Sequence, residues 1–396
     1  MNKILFISYS WNLADRAGGI QSKRLYSGLE RYFDVQVICR DFNTAEDDEE
    51  KKIMKVKSLN LFFFDRLFLF VFRFLRNILS IDQYVWCYTA YKKIKKENVS
   101  FDYIVTVHAP FTVRFLGFLL KKKYAKPLIT FLFDPYSDNI YFQTNRLSVF
   151  LRRKVERKIV LKSDYLIFNN DIVYKLFSER YKQNVSRFFV LPLCCDYNSW
   201  KKLSSFSLSK ESRNDKTTLI HAGMIHGKRN LTGLNEIVRS LKELDSKLSN
   251  TFQILLYGKL RQCDMDEIIK YGNDDVILIK GFITPEELLK EMQKTDGFIV
   301  IDAMNEDNIC FPSKICDYFL FNKLIIGLTP QRSVTRDILN KSGHISCDES
   351  EYKQTAEFIY NYYKKENKTD WVIDRDFYKN FLPENIAKSL LAVING

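Results

Sequence analysis

Short apolar runs alternate with helix-period segments along nearly the whole chain. In the first half the runs are Ile4–Ser8, Val35–Arg40, Tyr103–Val107, Leu128–Phe133, Tyr165–Asn169 and Phe188–Leu191. In the second half they are Thr218–Ala222, Gln253–Tyr257, Val276–Ile279, Phe298–Ile301 and Leu324–Leu328. Most are continuously apolar, the pattern of strands buried on both faces, and helices separate them. The spacing predicts α/β architecture with two doubly wound parallel sheets, one per half. Between the halves lies Ser199–Lys216, a Ser/Lys-rich stretch with little hydrophobic period. This gives a first domain over residues 1–200 and a second over 201–382. A last amphipathic helix, about Pro383–Ile394, is expected to pack back on the first domain. No internal repeat is present.

In such sheets ligands sit beyond the carboxyl ends of the strands, so the residues just after each run are the first candidates. After the first run comes Gly18-Gly19-Ile20, opening a helix; His108 ends YIVTV and Asp134 ends LITFLF. In the second half the positions are Gly223 to Asn230, Tyr257-Gly258-Lys259 and Asp302. Two sheets with facing strand ends would leave a cleft between the domains, the usual place for a two-substrate site.

Length and charge refine this picture. At 396 residues the chain exceeds one typical core, and a mean hydropathy of −0.23 argues against a polytopic membrane protein. The net charge of +13 lies wholly in the first half: residues 1–200 hold 33 Lys+Arg against 20 Asp+Glu, whereas 201–396 hold 28 of each. One domain therefore faces a polyanion and the other does not. In residues 61–79, LFFFDRLFLFVFRFLRNIL, fourteen of nineteen positions are large and apolar. As a helix, this segment gathers Asp65, Arg66, Arg73 and Arg76 within an arc of about 100°. Such a helix suits an anionic membrane surface and not a transmembrane span, which would place three arginines in hydrocarbon. The competing reading is a helix packed on the domain core. Nucleic acid is a poor partner, because the charge interleaves with phenylalanines and no recognition motif accompanies it. Met1-Asn2-Lys3 runs directly into a strand with no secretory signal, so a cytoplasmic protein, peripheral at the inner face of the membrane, is expected. Eight cysteines form no C-x-x-C pair and read as reduced.

Two segments carry the chemistry. In Phe311–Leu328, FPSKICDYFLFNKLIIGL, Pro312 closes a loop and Ser313 stands at a helix N-cap position. Lys314 falls in the first turn, with Asp317 one turn on. A helix start with a lysine suits a phosphate, and an aspartate suits a diol such as ribose. In Gly223-Met224-Ile225-His226-Gly227-Lys228-Arg229-Asn230, glycines admit close backbone approach while Lys228 and Arg229 add positive charge. Together with Lys314 they can clamp a diphosphate. The spacing is not that of a P-loop, and no G-x-G-x-x-G follows the first strand. An ordinary capped helix and a solvated basic turn are the plain structural readings. Gly18-Gly19 as a simple turn, His108 as a structural histidine and Asp134 as a turn cap also remain open.

These motifs together resemble the retaining family-4 glycosyltransferases of the GT-B fold. The likeness spans the chain: the GGI after the first strand, FLFDPY at 131–136, Glu156-Arg157 before SDYLIF, LPLCCD at 191–196, HAGMIHGKRN at 221–230, and FPSKICDYFLFNKLIIGL. The resemblance implies two Rossmann-like domains facing a cleft. It also implies a retaining hexosyltransferase that moves sugar from a nucleotide-sugar without a metal ion or other cofactor. By the same resemblance Lys228 or Arg229, with Lys314, would stabilise the diphosphate, with Gly223 and Ser313 beside it. Asp317 would hold the ribose, and the backbone from Gly258 would lie against the base. Gly18 and Gly19 would approach the donor phosphate, and His108 the transferred sugar. The expected acceptor is lipid-linked or a glycan, in surface-polysaccharide assembly such as lipopolysaccharide or capsule.

The chain departs from the family pattern at two positions. Asp317 stands where glutamate is usual, and Ile309 stands where the family has its other glutamate, leaving Glu306 or Asp307 as substitutes for sugar or acceptor contacts beside Asp134. The absent glutamate supports an alternative, a catalytically silent sugar-nucleotide-binding protein of the same fold. Asp264-Met265-Asp266 is a D-x-D that begins a helix and does not end a strand.

Overall fold

The computed structural model describes residues 1–11, 17–42, 52–58, 81–107, 110–138, 146–204, 216–304, 307–364 and 377–396. The segment 61–79 and His108 lie outside them. The chain divides into two compact units, Met1–Cys194 with Phe381–Gly396, and Cys195–Asn380.

In the first unit the strands are β1 (Lys3–Ile7), β2 (Asp34–Arg40), β3 (Ile53–Val56), β4 (Tyr103–Thr106), β5 (Leu128–Phe131), β6 (Tyr165–Phe168) and β7 (Phe188–Val190). They form one parallel sheet in the order β3-β2-β1-β4-β5-β6-β7. Nearly every residue of β1, β4, β5 and β6 is buried, as expected where helices cover both faces. Gly18 and Gly19 open a helix, as their position after the first strand predicts, and belong to the first turn of Ala17–Leu29. That helix packs on the helix Pro383–Asn395, and Gly28 is required there: a methyl group on it would fall on the Pro383 carbonyl. Arg31 and Glu384 pair across the same contact.

The second unit holds β8 (Thr217–Ala222), β9 (Phe252–Tyr257), β10 (Ile277–Gly281), β11 (Gly297–Ile301), β12 (Asp307–Asn308), β13 (Leu324–Leu328), β14 (Arg332–Ser333) and β15 (Ile345–Cys347). Six of them make a parallel sheet in the order β10-β9-β8-β11-β13-β15, and β12 pairs with β14. Its core gathers Leu219, Ile237, Leu256, Ile299 and Ile326 from strands and helices. The sequence pattern left the Ser/Lys-rich stretch without a period, yet its start belongs to a helix, Tyr197–Ser204. All eight cysteines are free thiols, and only Cys263 is exposed. Among the described residues no helix is long and apolar enough to cross a membrane.

Candidate functional site

In both sheets the strand order reverses at one point, and in the second sheet that point lies between β8 and β11. Chain leaving two neighbouring strands in opposite directions opens a crevice at their carboxyl ends. Residues 222–230 leave β8 there, Asp302 follows β11, and the helix Lys314–Tyr318 presents Lys314 to the same spot.

Backbone geometry makes room first. Gly223 and Gly258 have φ of +137° and +124°, conformations that disfavour side chains. A methyl at Gly258 would sit 2.6 Å from the Gly223 carbonyl oxygen, and one at Gly223 would meet the Lys314 amine. The two glycines therefore let the turns after β8 and β9 touch, with Lys314 laid across them. Backbone bonds fix this contact: Gly223 N–H donates to Tyr257 O at 2.7 Å and Ile225 N–H to Lys259 O at 3.1 Å.

Lys314 is held from beneath by His221, a residue of β8 that is only 1% exposed. The His221 Nδ1–H donates to the Ile299 carbonyl at 3.1 Å, which leaves Nε2 to accept from Lys314 Nζ at 3.3 Å. Burial and the neighbouring lysine push the imidazole pKa well below its ordinary value, so the ring is neutral. Burial, and then the Arg229 guanidinium, push the Lys314 amine well below the usual lysine range, against the pull of Asp302. The charged form of Lys314 is thus disfavoured by its surroundings, and a bound anion would stabilise it.

Asp302 is fully buried, and both of its oxygens accept hydrogen bonds. It accepts from Asn308 Nδ2, from Ala303 N–H at 3.0 Å and from Thr335 Oγ1–H at 2.7 Å. Burial lifts its carboxyl to about 6 against those donors. It joins the loop after β11 to β12 and to the helix Val334–Lys341, a structural hub.

The sequence-derived candidates divide accordingly. Gly223, Gly258, Arg229 and Lys314 come together. Lys228 is exposed on the adjoining turn. Ser313 stands at the N-cap position but has helical dihedrals and no capping bond from its side chain, and the α-helix it begins has only five residues. A helix-terminus phosphate site is therefore not formed there; the lysine itself is the feature. Asp317 Oδ1 accepts from the Asp196 N–H at 2.9 Å, so one carboxylate oxygen already has a backbone partner. Asp307 lies on β12, and Glu306 lies outside the described residues. Asp264 is bound by Arg261 at 2.7 Å, and Asp266 accepts from Gln262 at 2.8 Å, so that D-x-D serves its own helix.

In the first unit Asp134 is exposed at the start of a turn after β5. Glu156, wholly buried, shapes that turn by accepting from the N–H groups of Tyr136 at 3.2 Å and Ser137 at 3.1 Å, and it pairs with Arg180 at 2.8 Å.

Three contributors were not singled out from sequence. His221 is one; its signal was a polar side chain at a buried position of an apolar strand. Tyr318, stacked on Phe298 with ring centres 4.3 Å apart, accepts from the Ala222 N–H at 2.9 Å. Arg261 donates to the carbonyls of Gly227 at 3.1 Å and Arg229 at 2.7 Å, pinning the basic turn.

No protein-family model and no curated protein matches the sequence. Solved structures match along its whole length. The N-terminal domain of Candida albicans trehalose-6-phosphate phosphatase aligns with a TM-score of 0.73 at 14% identity, covering 100% of this chain and 97% of that one. A glycosyltransferase from Rickettsia africae ESF-5 gives 0.64 at 15% identity, with coverage of 100% and 98%. Anabaena HepE, solved in complex with UDP, gives 0.62 at 12% identity, with coverage of 100% and 97%. At such identities the likeness is one of fold: this chain shares the two parallel-sheet domains of the GT-B architecture, and glycosyltransferases are among its structural neighbours.

Proposed function

We propose that this chain is a glycosyltransferase that moves a hexose from a nucleotide-sugar, with retention of configuration, to a lipid-linked or glycan acceptor in surface-polysaccharide assembly. The work would take place at the cytoplasmic face of the membrane. The observation that carries the reading is Lys314, aimed by His221 and flanked by Arg229 at the switch point of the second sheet, over two glycines that admit a ligand. The complexes of Anabaena HepE with UDP and with UDP-glucose add support from the same fold.

Breaking the bond between a sugar and a diphosphate leaves positive charge on the anomeric carbon and negative charge on the departing oxygens. Lys314 and Arg229 stand where that negative charge would build, and cations already in place act without reorganisation. A diphosphate would restore the full charge of the lysine. Because the chain's own cations meet this charge, the proposal includes no metal ion. Asp302 is no nucleophile in this scheme, since burial and three donors hold it. Lys228 would screen the diphosphate from the solvent side, Asp317 would face the ribose, and the Gly258 backbone would face the base. Gly18, Gly19, His108 and Asp134 would serve from the first unit, and Glu306 or Asp307 would contact the sugar.

A panel of nucleotide-sugars, uridine compounds first, should raise the melting temperature of the protein, since ligands of the native state stabilise it. With the responding donor, Lys314→Ala and Arg229→Ala should each lower turnover by about a hundredfold or more while the proteins stay folded. EDTA should leave the rate unchanged. Wild-type rates in both variants would remove the diphosphate assignment. The presence of Ile309 in place of the family's glutamate supports the second reading, a silent binder, and thermal stabilisation with no transfer or donor hydrolysis would select it.

A further inference from the structure

The second unit's cations belong to the proposed donor chemistry, but the first unit carries an apolar groove for which that chemistry has no use. It runs between the helices Thr112–Tyr124 and Arg146–Lys162, with a volume of about 660 Å³. Phe111, Arg114, Phe118 and Tyr136 are among the residues that line it. That arginine is only 3% exposed and donates to the Phe131 carbonyl at 2.8 Å. From Phe111 to Lys122 the groove follows about 16 Å of helix.

Its surroundings are unusual for a surface in water. Phe115 is 43% exposed, Phe150 52% and Leu161 53%. On the second helix Leu147, Phe150, Lys154, Lys158 and Leu161 fall on one stripe about 80° wide. Large apolar side chains and lysines therefore share the outward face, while Arg152, Glu156, Ile159 and Val160 face inward. Neither helix offers an exposed carboxylate. Thr112–Tyr124 contains no acidic residue, and the single one in Arg146–Lys162 is the buried Glu156. The nearest acids are engaged: Asp164 with Lys121 at 2.7 Å, and Asp138 with Arg180 at 2.8 Å and Arg153 at 3.8 Å. Asp134 lies close enough to Arg114 to act on its charge. An apolar trough rimmed by lysines without exposed acids on its walls is complementary to an anionic amphiphile.

We propose that this groove seats one hydrocarbon chain of an anionic phospholipid in a bilayer. Lys122, Lys158 and Lys162 meet the headgroup phosphate, and Phe115, Phe150 and Leu161 enter the leaflet. The proposal deepens the membrane-face part of the proposed function and rests on that part alone, not on the donor chemistry.

The test is flotation of the full chain with phosphatidylcholine vesicles, with and without phosphatidylglycerol. Two variants accompany it, Lys122→Glu with Lys158→Glu and Lys162→Glu, and Phe115→Ser with Phe150→Ser and Leu161→Ser. All six positions are exposed side chains, and thermal unfolding together with the nucleotide response checks that each variant is native. Wild-type protein should float with the phosphatidylglycerol vesicles and not with phosphatidylcholine alone. Each triple variant should lose about tenfold or more in affinity, with the nucleotide response unchanged. Equal flotation of the wild type and both variants overturns the proposal and transfers the binding to another surface, such as residues 61–79. Equal flotation with neutral vesicles, no flotation at all, or self-association on this face also overturns it. Loss of the nucleotide response with vesicle binding intact would instead sink the donor reading and leave this one standing.

Discussion

A lysine amine resting on a neutral imidazole, with a guanidinium beside it, has a protonation state that its ligand can change. Burial and Arg229 lower the Lys314 pKa. In the unfolded chain the amine returns to about 10.4. Between those values the unfolded state binds more protons, so this contribution to stability grows as pH rises toward about 10.4 and is lost as pH falls. Asp302, lifted to about 6, acts oppositely and at lower pH: its contribution is present below the unfolded carboxylate value and is lost as pH rises through about 6. A bound diphosphate reverses the lysine effect by favouring the charged amine. Nucleotide binding in alkaline buffer, below the ordinary lysine value, should therefore take up protons, seen as a binding enthalpy that changes with the ionisation heat of the buffer. Lys314→Met should abolish most of that dependence. An unchanged dependence in the variant would mean that Lys314 does not meet the anion. In sequence Arg229 stood out as a basic residue after an apolar strand, and Lys314 as a lysine in the first turn of a helix. His221 was not, since a histidine inside a strand shows its purpose only once its neighbours are known.

At the scale of elements, the basic turn after β8 has the mobility of a glycine-containing loop unless something holds it. Arg261, at the start of the helix Gln262–Lys270, does so with two bonds to carbonyls of that turn while its other edge is bound by Asp264. The planar fork is what allows both contacts, and lysine cannot reproduce it. Arg261→Lys should raise the donor KM about tenfold, the equivalent of one charged hydrogen bond, and change kcat less. A fall in kcat with KM unchanged would place Arg261 in the chemical step and remove its positioning role. The strands most visible in the sequence were the continuous apolar runs, and each became a strand of one of the two parallel sheets. The short edge strands β3 and β15 were not foreseen. β3 reads IMKV, with a lysine in the run, and β15 spans only three residues, too few to show a period. Ser313 shows the converse error. A serine before a lysine looks like a cap, and Ser313 does stand at that position, but its backbone is already helical and its side chain makes no capping bond.

For the whole molecule the unequal charge of the two halves separates two kinds of recognition by their response to salt. The first 200 residues carry all of the +13 excess, and the remainder is neutral. Attraction between that excess and an anionic surface acts over many charges at distances comparable to the screening length. That length falls from about 10 Å at 0.1 M salt to about 3 Å at 1 M. The proposed diphosphate contact is different, because Lys314 is half-buried and meets its anion directly, where screening is weak. Raising salt across that range should weaken binding to phosphatidylglycerol vesicles by more than about tenfold and nucleotide affinity by only a few-fold. Flotation and calorimetry on the same samples provide the two slopes. Parallel slopes would mean that both ligands are drawn by the same diffuse field, and the division of labour between a basic first half and a locally cationic second half would fail. A vesicle slope that is shallow while binding persists would assign docking to apolar insertion by Phe115, Phe150 and Leu161, with the lysines setting only lipid preference.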